Sequence, residues 1–340
     1  MISRESISKD APITISDFGE FGLISAIRAV LPPDPAGVIG IGDDGAVLPA
    51  PDGRVVASTD LLIEGRHFRP DWSAATDIGV KAAAQNLADI AAMGAVPTAL
   101  LFGLAIPGTL TAAWVLDVTK GMVAECQRAG AFIAGGDVTS SDQIMLAITA
   151  LGDLQGRDPV IRSGARPGDV IAISGPVGRS AAGLAVLQAS GLQTSGVADP
   201  NWTAELRAMV AAHRSPQPDY PAGPAAATAG ATAMIDISDG LVADLGHIAT
   251  ASGVRLDVGA GLLPGTDPLM TVAARLGSDW REWALGGGED HALAATFPDA
   301  SKVPDGWTVI GRVDRGTGVL VDSRQWRGSP GWDHFARPHS

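Results

Sequence analysis

One cysteine, Cys126, stands among 340 residues, so neither an intrachain disulfide nor a cysteine-based zinc site is available. That scarcity fits a reducing compartment. The thiol sits within residues 122–130, which read as a helix ending in glycine and suit a buried structural cysteine better than a nucleophile. Basic residues are also scarce: 24 Lys and Arg face 37 Asp and Glu, a formal charge of −13. Such a surface repels phosphate backbones and argues against nucleic acid as a partner. An anionic substrate remains compatible where cations bridge it to the acids. No uninterrupted apolar run is long enough to span a bilayer, and the first residues, with Arg4, Glu5, Lys9 and Asp10, hold no apolar stretch of signal-peptide length. The expectation is a cytoplasmic protein that does not engage a membrane.

The common phosphate-binding and catalytic motifs are missing as well. There is no Gly-x-x-x-x-Gly-Lys-Ser/Thr loop, no protein-kinase His-Arg-Asp or Asp-Phe-Gly, and no His-Glu-x-x-His. Gly40-Ile-Gly42 runs into two acids instead of opening a dinucleotide-binding helix. A bound nucleotide would have to be held largely through metal ions.

What is present is an ordinary globular balance, 46% hydrophobic and 18% charged, in a chain long enough for two domains with proper cores. A first helix is expected from Ser16 or Asp17, with Glu20 as capping-box partner of Asp17, ending at Leu31-Pro-Pro33. Strand patterns cover 54–60, 98–106, 131–137 and 143–154, the third breaking into a glycine turn. Helices are expected over 76–93, with Thr76 as cap, and over 111–130. This alternation predicts an α/β (α+β) domain over 1–156, with a polar, turn-rich boundary at 157–168. A second series over 157–340 begins with a strand at 169–174, a helix at 180–189 and a loop over 190–203. It continues with a strand at 231–236, a helix at 240–252 and a strand at 307–313. The Ala/Gly/Pro-rich stretch around 222–233 reads as low complexity.

Four motifs share one pattern, an apolar strand delivering aspartates and small hydroxyls to a backbone turn. They are Asp43-Asp44-Gly45, Ser58-Thr59-Asp60, Gly135-Gly136-Asp137 and Asp236-Ile-Ser238-Asp239-Gly240. Carboxylate and hydroxyl oxygens are hard ligands suited to Mg²⁺, and glycine lets a backbone approach a phosphate closely. Any one Asp-Gly is more often a plain turn, but four of them favour a shared metal–phosphate site. On the 76–93 helix, Lys81, Gln85 and Asp89 fall on one face at i, i+4 and i+8, with Asn86 beside Asp89. Spacing alone allows either a solvent-facing stripe or one turned toward the carboxylates.

These residues resemble the thiamine-monophosphate kinase family. The resemblance is carried by Gly40-Ile-Gly-Asp-Asp-Gly45, Ser58-Thr-Asp-Leu-Leu-Ile-Glu-Gly-Arg-His-Phe68 and Asn86-Leu-Ala-Asp-Ile-Ala-Ala-Met-Gly94. It continues through Gly135-Gly-Asp137, Arg162-Ser-Gly164, Asp236-Ile-Ser-Asp-Gly-Leu241, Gly287-Gly-Glu-Asp290 and Gly331-Trp-Asp-His-Phe335. Each piece is weak, but the ordered set spans Asp17 to Phe335. The resemblance implies a two-domain aminoimidazole ribonucleotide synthetase-like fold, a homodimer whose N-terminal sheets pair into a β-barrel, and a C-terminal α/β domain completing the site. It implies transfer of the ATP γ-phosphoryl group to thiamine monophosphate, assisted by several Mg²⁺ ions. Carried over by motif, the Mg²⁺ ligands are Asp44, Ser58, Thr59, Asp60, Asp89, Asp137, Asp236 and Asp239. Gly136, Asp137, Arg162 and Ser238 would contact ATP, and His67, Glu289 and Trp332 the thiamine substrate. Asp43 lies outside this matched set.

Two rival readings compete. Relatives in the same superfamily activate amides or selenide, but the N-terminal cysteine of selenophosphate synthetases is absent here. A catalytically silent nucleotide-binding protein is the other, and it sits poorly with a chain that keeps every acidic motif.

Overall fold

The computed structural model describes residues 13–38, 40, 45–190, 199–200, 202–329 and 331–332. The elements of the first half are α1 (Ile15–Phe18), α2 (Glu20–Val30), β1 (Val56–Ile63), α3 (Ala75–Ala92), β2 (Val96–Ile106), α4 (Ala112–Ala129), β3 (Phe132–Ser140) and β4 (Met145–Asp153). Those of the second half are β5 (Val170–Ile173), α5 (Arg179–Ser190), α6 (Ala204–Arg214), α7 (Ala222–Ala229), β6 (Ala233–Asp236), α8 (Leu241–Ser252) and β7 (Arg255–Val258). They continue with α9 (Asp267–Leu276), α10 (Trp280–Gly286), β8 (Leu293–Phe297), β9 (Thr308–Asp314), β10 (Gly318–Val321) and β11 (Arg324–Gln325).

At the N-terminus the capping box lies three residues earlier than expected. Thr14 is the cap, its N–H donating to Asp17 Oδ2 at 3.0 Å while Asp17 N–H donates to Thr14 Oγ1 at 3.3 Å. Gly19, at φ +70°, then interrupts the helix before Glu20. On α3 the cap is also shifted: Ala74 N–H donates to Asp77 Oδ2 at 3.2 Å, and Thr76 lies inside the helix.

The first sheet has the order β1-β4-β2-β3, antiparallel except for β2 and β3, which run parallel and are joined by α4. Strict alternation along β4 sends Leu146, Ile148 and Ala150 into the core. They meet Ile78, Leu87 and Ile90 of α3 and Val115, Val118 and Met122 of α4. The two helices touch backbone to backbone. A Cβ on Gly79 would fall 2.0 Å from Val118 O, and one on Gly121 would fall 2.1 Å from Thr76 O. Only glycine fits at that crossing.

Gly135-Gly136-Asp137 does not form the expected turn. It continues β3, with an irregularity where Leu100 pairs Ile133 but Leu101 pairs Gly135. Ser58-Thr59-Asp60 likewise lies in the middle of β1.

The second sheet, ordered β11-β10-β7-β9-β5-β8-β6, is antiparallel except for the β10–β7 pair. It is buried on both faces. Ala172, Met234, Leu293, Ala295 and Phe297 join the core that contains α3. Their neighbours Ile171, Ile173, Ile235 and Ala294 face the other way, toward Val186 and Leu187 of α5, Leu206 and Met209 of α6, and Leu245 and Ile248 of α8. The stretch read as low complexity is α7, whose Ala226 is fully buried. Among the described residues, no helix is long and apolar enough to cross a membrane.

Candidate active site

A cleft of about 1350 Å³ opens between α3 with β1 on one side and the ends of β6 and α10 on the other. Period-two alternation in β1 decides which motif residues reach it. Ser58 and Asp60 face α3: Ser58 Oγ donates to Asp89 Oδ2 at 2.6 Å, and Gln85 Nε2 donates to Asp60 Oδ2 at 3.1 Å. The Lys81–Gln85–Asp89 stripe therefore lines the cleft, and Lys81 is only 2% exposed. Thr59 points the other way, its hydroxyl donating to Ile148 O at 2.9 Å.

Opposite these groups stand Asp236, at the end of β6, and the 238–240 turn. Asp244, one turn into α8, accepts from the N–H groups of Ser238, Asp239 and Gly240 at 3.1, 3.1 and 3.0 Å. Gly240 has φ +130°, and a Cβ there would lie 2.8 Å from the Gly286 carbonyl carbon, so the turn requires glycine. His291 Nδ1 lies 3.3 Å from Asp236 Oδ2, while its buried Nε2 has no hydrogen-bond partner among the described residues. Glu289 faces Lys81, whose Nζ donates to Oε2 at 3.0 Å.

Ile63 N–H donates to His67 Nδ1 at 3.0 Å. In the neutral ring this places the proton on Nε2. Arg162 and Trp332 line the same cleft, and Trp332 is anchored by its backbone N–H to Asp239 O at 2.9 Å with 57% of its surface exposed.

Three expected residues do not line it. Thr59, Gly136 and Asp137 are absent from the walls. Asp137 is exposed, and its pairing with Gly103, itself opposite Ala147, places it on the same outer sheet face as Thr59. Asp43 and Asp44 lie outside the described residues.

The carboxylates strain against one another. Burial, then the charge of Asp236, pushes Asp89 up to about 7, with Asp60 adding to the rise and the Ser58 hydrogen bond opposing it. Burial and the charges of Asp236 and Asp239 push Asp244 up to about 7 as well. A cation among these groups would reverse that penalty, and every donor is a hard oxygen suited to Mg²⁺. Among the described residues no three His, Cys, Asp or Glu side chains are grouped to hold an ion unaided. Mg²⁺ tolerates this, because it takes much of its octahedron from water and phosphate oxygens.

Residues 42–154 match the family described as AIR synthase related protein, N-terminal domain. Thiamine-monophosphate kinase of Mycobacterium tuberculosis (strain ATCC 25618 / H37Rv) is 48% identical over 335 residues, 98% of this chain and 96% of that protein. The chain belongs to the thiamine-monophosphate kinase family. The Corynebacterium glutamicum member is 41% identical over 334 residues, covering 96% of each chain. Among solved structures, thiamine-monophosphate kinase from Stenotrophomonas maltophilia K279a superposes with a TM-score of 0.76 at 32% identity, covering 88% of this chain and 95% of that one. AaThiL complexed with AMPPCP and TMP gives a TM-score of 0.76 at 31% identity over 97% of this chain and 100% of that one. The protein is thus an enzyme of the kinase class with the aminoimidazole ribonucleotide synthetase-like fold.

Within this thiamine-monophosphate kinase family member, sequence reasoning passed over Asp244, His291 and His213, the last of which lines the cleft from the end of α6. Asp244 had a legible signal, an acid in the first turn of a helix that follows Asp-Gly. His213 and His291 had none, since their partners are distant in the chain.

Proposed function

We propose that the protein transfers the γ-phosphoryl group of ATP to the phosphate of thiamine monophosphate, giving thiamine diphosphate, with Mg²⁺ as the assisting ion. The observation that carries this is the meeting of Ser58, Asp60 and Asp89 with Asp236, Asp239 and Glu289 across one cleft. AaThiL, complexed with AMPPCP and TMP, matches this chain almost end to end.

The acceptor is itself a phosphate and needs no strong general base. The obstacle is bringing two polyanions together. Ser58, Asp60, Asp89, Asp236 and Asp239, with Asp44, are the oxygens that would hold Mg²⁺. When bound, the ions would neutralise phosphate charge as the γ-phosphoryl passes in line to the acceptor, with no phosphoenzyme. Arg162 and Ser238 hold the nucleotide. His67, with its proton on Nε2, donates to the acceptor phosphate. Glu289 and Trp332 meet the thiamine moiety, whose cationic thiazolium ring over an indole face gains on the order of 1 kcal/mol.

Thr59 and Asp137 enter this reading through a second copy of the chain. The outer face of the first sheet carries Leu61, 53% exposed, with part-exposed Leu101, Ala147 and Leu151. Pairing two such faces into a barrel covers them and offers Asp137 and Thr59 to the partner's cleft. We place this dimer in the cytoplasm, consistent with its single, buried free cysteine.

A coupled assay of the purified protein with ATP, Mg²⁺ and thiamine monophosphate tests the reading. Thiamine diphosphate formed one for one with ADP is expected. Turnover with other acceptors, and none with thiamine monophosphate, overturns the substrate.

A further inference from the structure

Lys81 is a buried lysine with a purpose to explain. It sits on α3 at 2% exposure, and an ammonium in that position is costly unless it is paired. Its partner Glu289 comes from 208 residues away, on the loop after α10, with Nζ 3.0 Å from Oε2. Glu289 is held in the left-handed region at φ +64°, unusual for a residue with a side chain. Its backbone N–H donates to Ser238 O at 2.8 Å, so the loop is fixed at the main chain as well.

Two further groups close around the same carboxylate. His213, at the end of α6, brings Nδ1 to 3.5 Å from Oε2, and Ser180 of α5 lies 3.0 Å from that nitrogen. His291, beside the loop, adds its charge to the environment. Burial and the neighbouring Lys81 hold His213 down to about 3, so it is neutral near pH 7. Lys81 is then the principal cation facing Glu289. Burial alone would raise the Glu289 carboxyl, yet Lys81 ahead of His213 draws it down to about 2. The Lys81 and His213 contacts both fall on Oε2, so that among the described residues Oε1 is the oxygen left to a ligand in the cleft.

We propose that Lys81 is the positioning residue of the thiamine end of the cleft: it anchors Oε2 of Glu289 so that Oε1 meets the cationic thiazolium ring of the substrate. This rests on the assignment of Glu289 to the substrate. A merely structural Lys81 would tie α3 to the loop through the same ion pair, so that its loss lowers the melting temperature without singling out the KM for thiamine monophosphate.

The test is a double-mutant cycle on the full-length enzyme, reading the KM for thiamine monophosphate, the KM for ATP and the melting temperature. Wild type, Lys81→Met, Glu289→Gln and the double variant are compared. Each single change is expected to raise the KM for thiamine monophosphate about tenfold while that for ATP moves less than about twofold, and the double variant is expected to match Glu289→Gln. Equal added losses from Lys81→Met in both backgrounds overturn the proposal, as does a single variant without effect on the thiamine substrate. An unchanged KM in Glu289→Gln removes the Glu289 assignment itself, whereas failure of the wild-type coupled assay removes the substrate.

If Lys81→Met does not fold, the double variant, which removes both charges, still allows comparison with Glu289→Gln. A double variant weaker than Glu289→Gln overturns the proposal.

Discussion

Ser58 Oγ and Asp89 Oδ2 are 2.6 Å apart, joining the middle of β1 to α3 at the floor of the cleft. That bond stabilises the charged form of Asp89 but does not outweigh burial and the facing Asp236, and the group is held up to about 7. An acid whose folded pKa exceeds its unfolded value near 4 binds more protons when folded. Its contribution to stability is therefore greatest at low pH and is lost as pH rises through 7. Asp89→Asn in metal-free buffer at pH 8 should then raise the melting temperature by roughly 2–4 °C while abolishing phosphoryl transfer. Mg²⁺ should stabilise the wild type more than the variant. A lowered melting temperature in the variant would contradict the electrostatic reading.

Asp137 stands on the outer face of the first sheet while Asp89 faces the cleft, and this separation makes a prediction about subunits. Asp89→Asn and Asp137→Asn should each be inactive alone. If the proposed dimer shares its clefts between subunits, co-expression should give heterodimers in which one cleft carries both changes and the other carries neither. Random pairing then restores about a quarter of wild-type activity. No recovery, with heterodimers verified by mass, places both residues in one chain's site.

How far the sequence could be read follows from the range of each interaction. The Lys81, Gln85 and Asp89 stripe obeys helical spacing, so its shared face was legible, but its direction depended on β1 arriving beside it. Ser58 and Thr59 looked equivalent as motif members, yet the period-two pleat sends their hydroxyls to opposite faces. Gly135-Gly136 resembled a turn because glycine is permissive, whereas pairing with β2 keeps the pair extended. The strands β7, β8 and β10 were passed over. Leu293–Phe297 is buried at every position, a pattern without the alternation that marks a half-exposed strand. The Glu289–His213 contact spans 76 positions, and no local rule reports it.

Asp244 organises the 238–240 turn without lining the cleft, so its removal separates loop order from direct ligand contact. Asp244→Ala leaves three N–H groups of the turn without their acceptor. The expected loss of stability is roughly 1–3 kcal/mol, moderated by relief of an acid that burial and its neighbours hold near 7. Activity should fall with the KM for ATP rising, because Ser238 loses its fixed position. Equilibrium denaturation together with nucleotide titration measures both. A variant of full stability and unchanged ATP affinity would remove Asp244 from this role.

His67 offers the sharpest separation between holding a loop and serving a ligand, because its two ring nitrogens do different jobs. Nδ1 accepts from Ile63 N–H at 3.0 Å and fixes the ring. Nε2–H is the donor assigned to the acceptor phosphate. Asparagine can reproduce the first contact, since its amide reaches about as far as Nδ1, but it offers nothing at Nε2. Glutamine reaches the Nε2 position and gives up the first contact. His67→Asn should therefore retain the wild-type melting temperature and lose about 10²-fold in kcat/KM for thiamine monophosphate. His67→Gln should recover part of that loss while melting lower. Loss in both variants in proportion to their stability would mean that the ring serves the Ile63–His67 turn alone, and the acceptor phosphate would need another donor, with Arg66 and Arg69 lining the same wall.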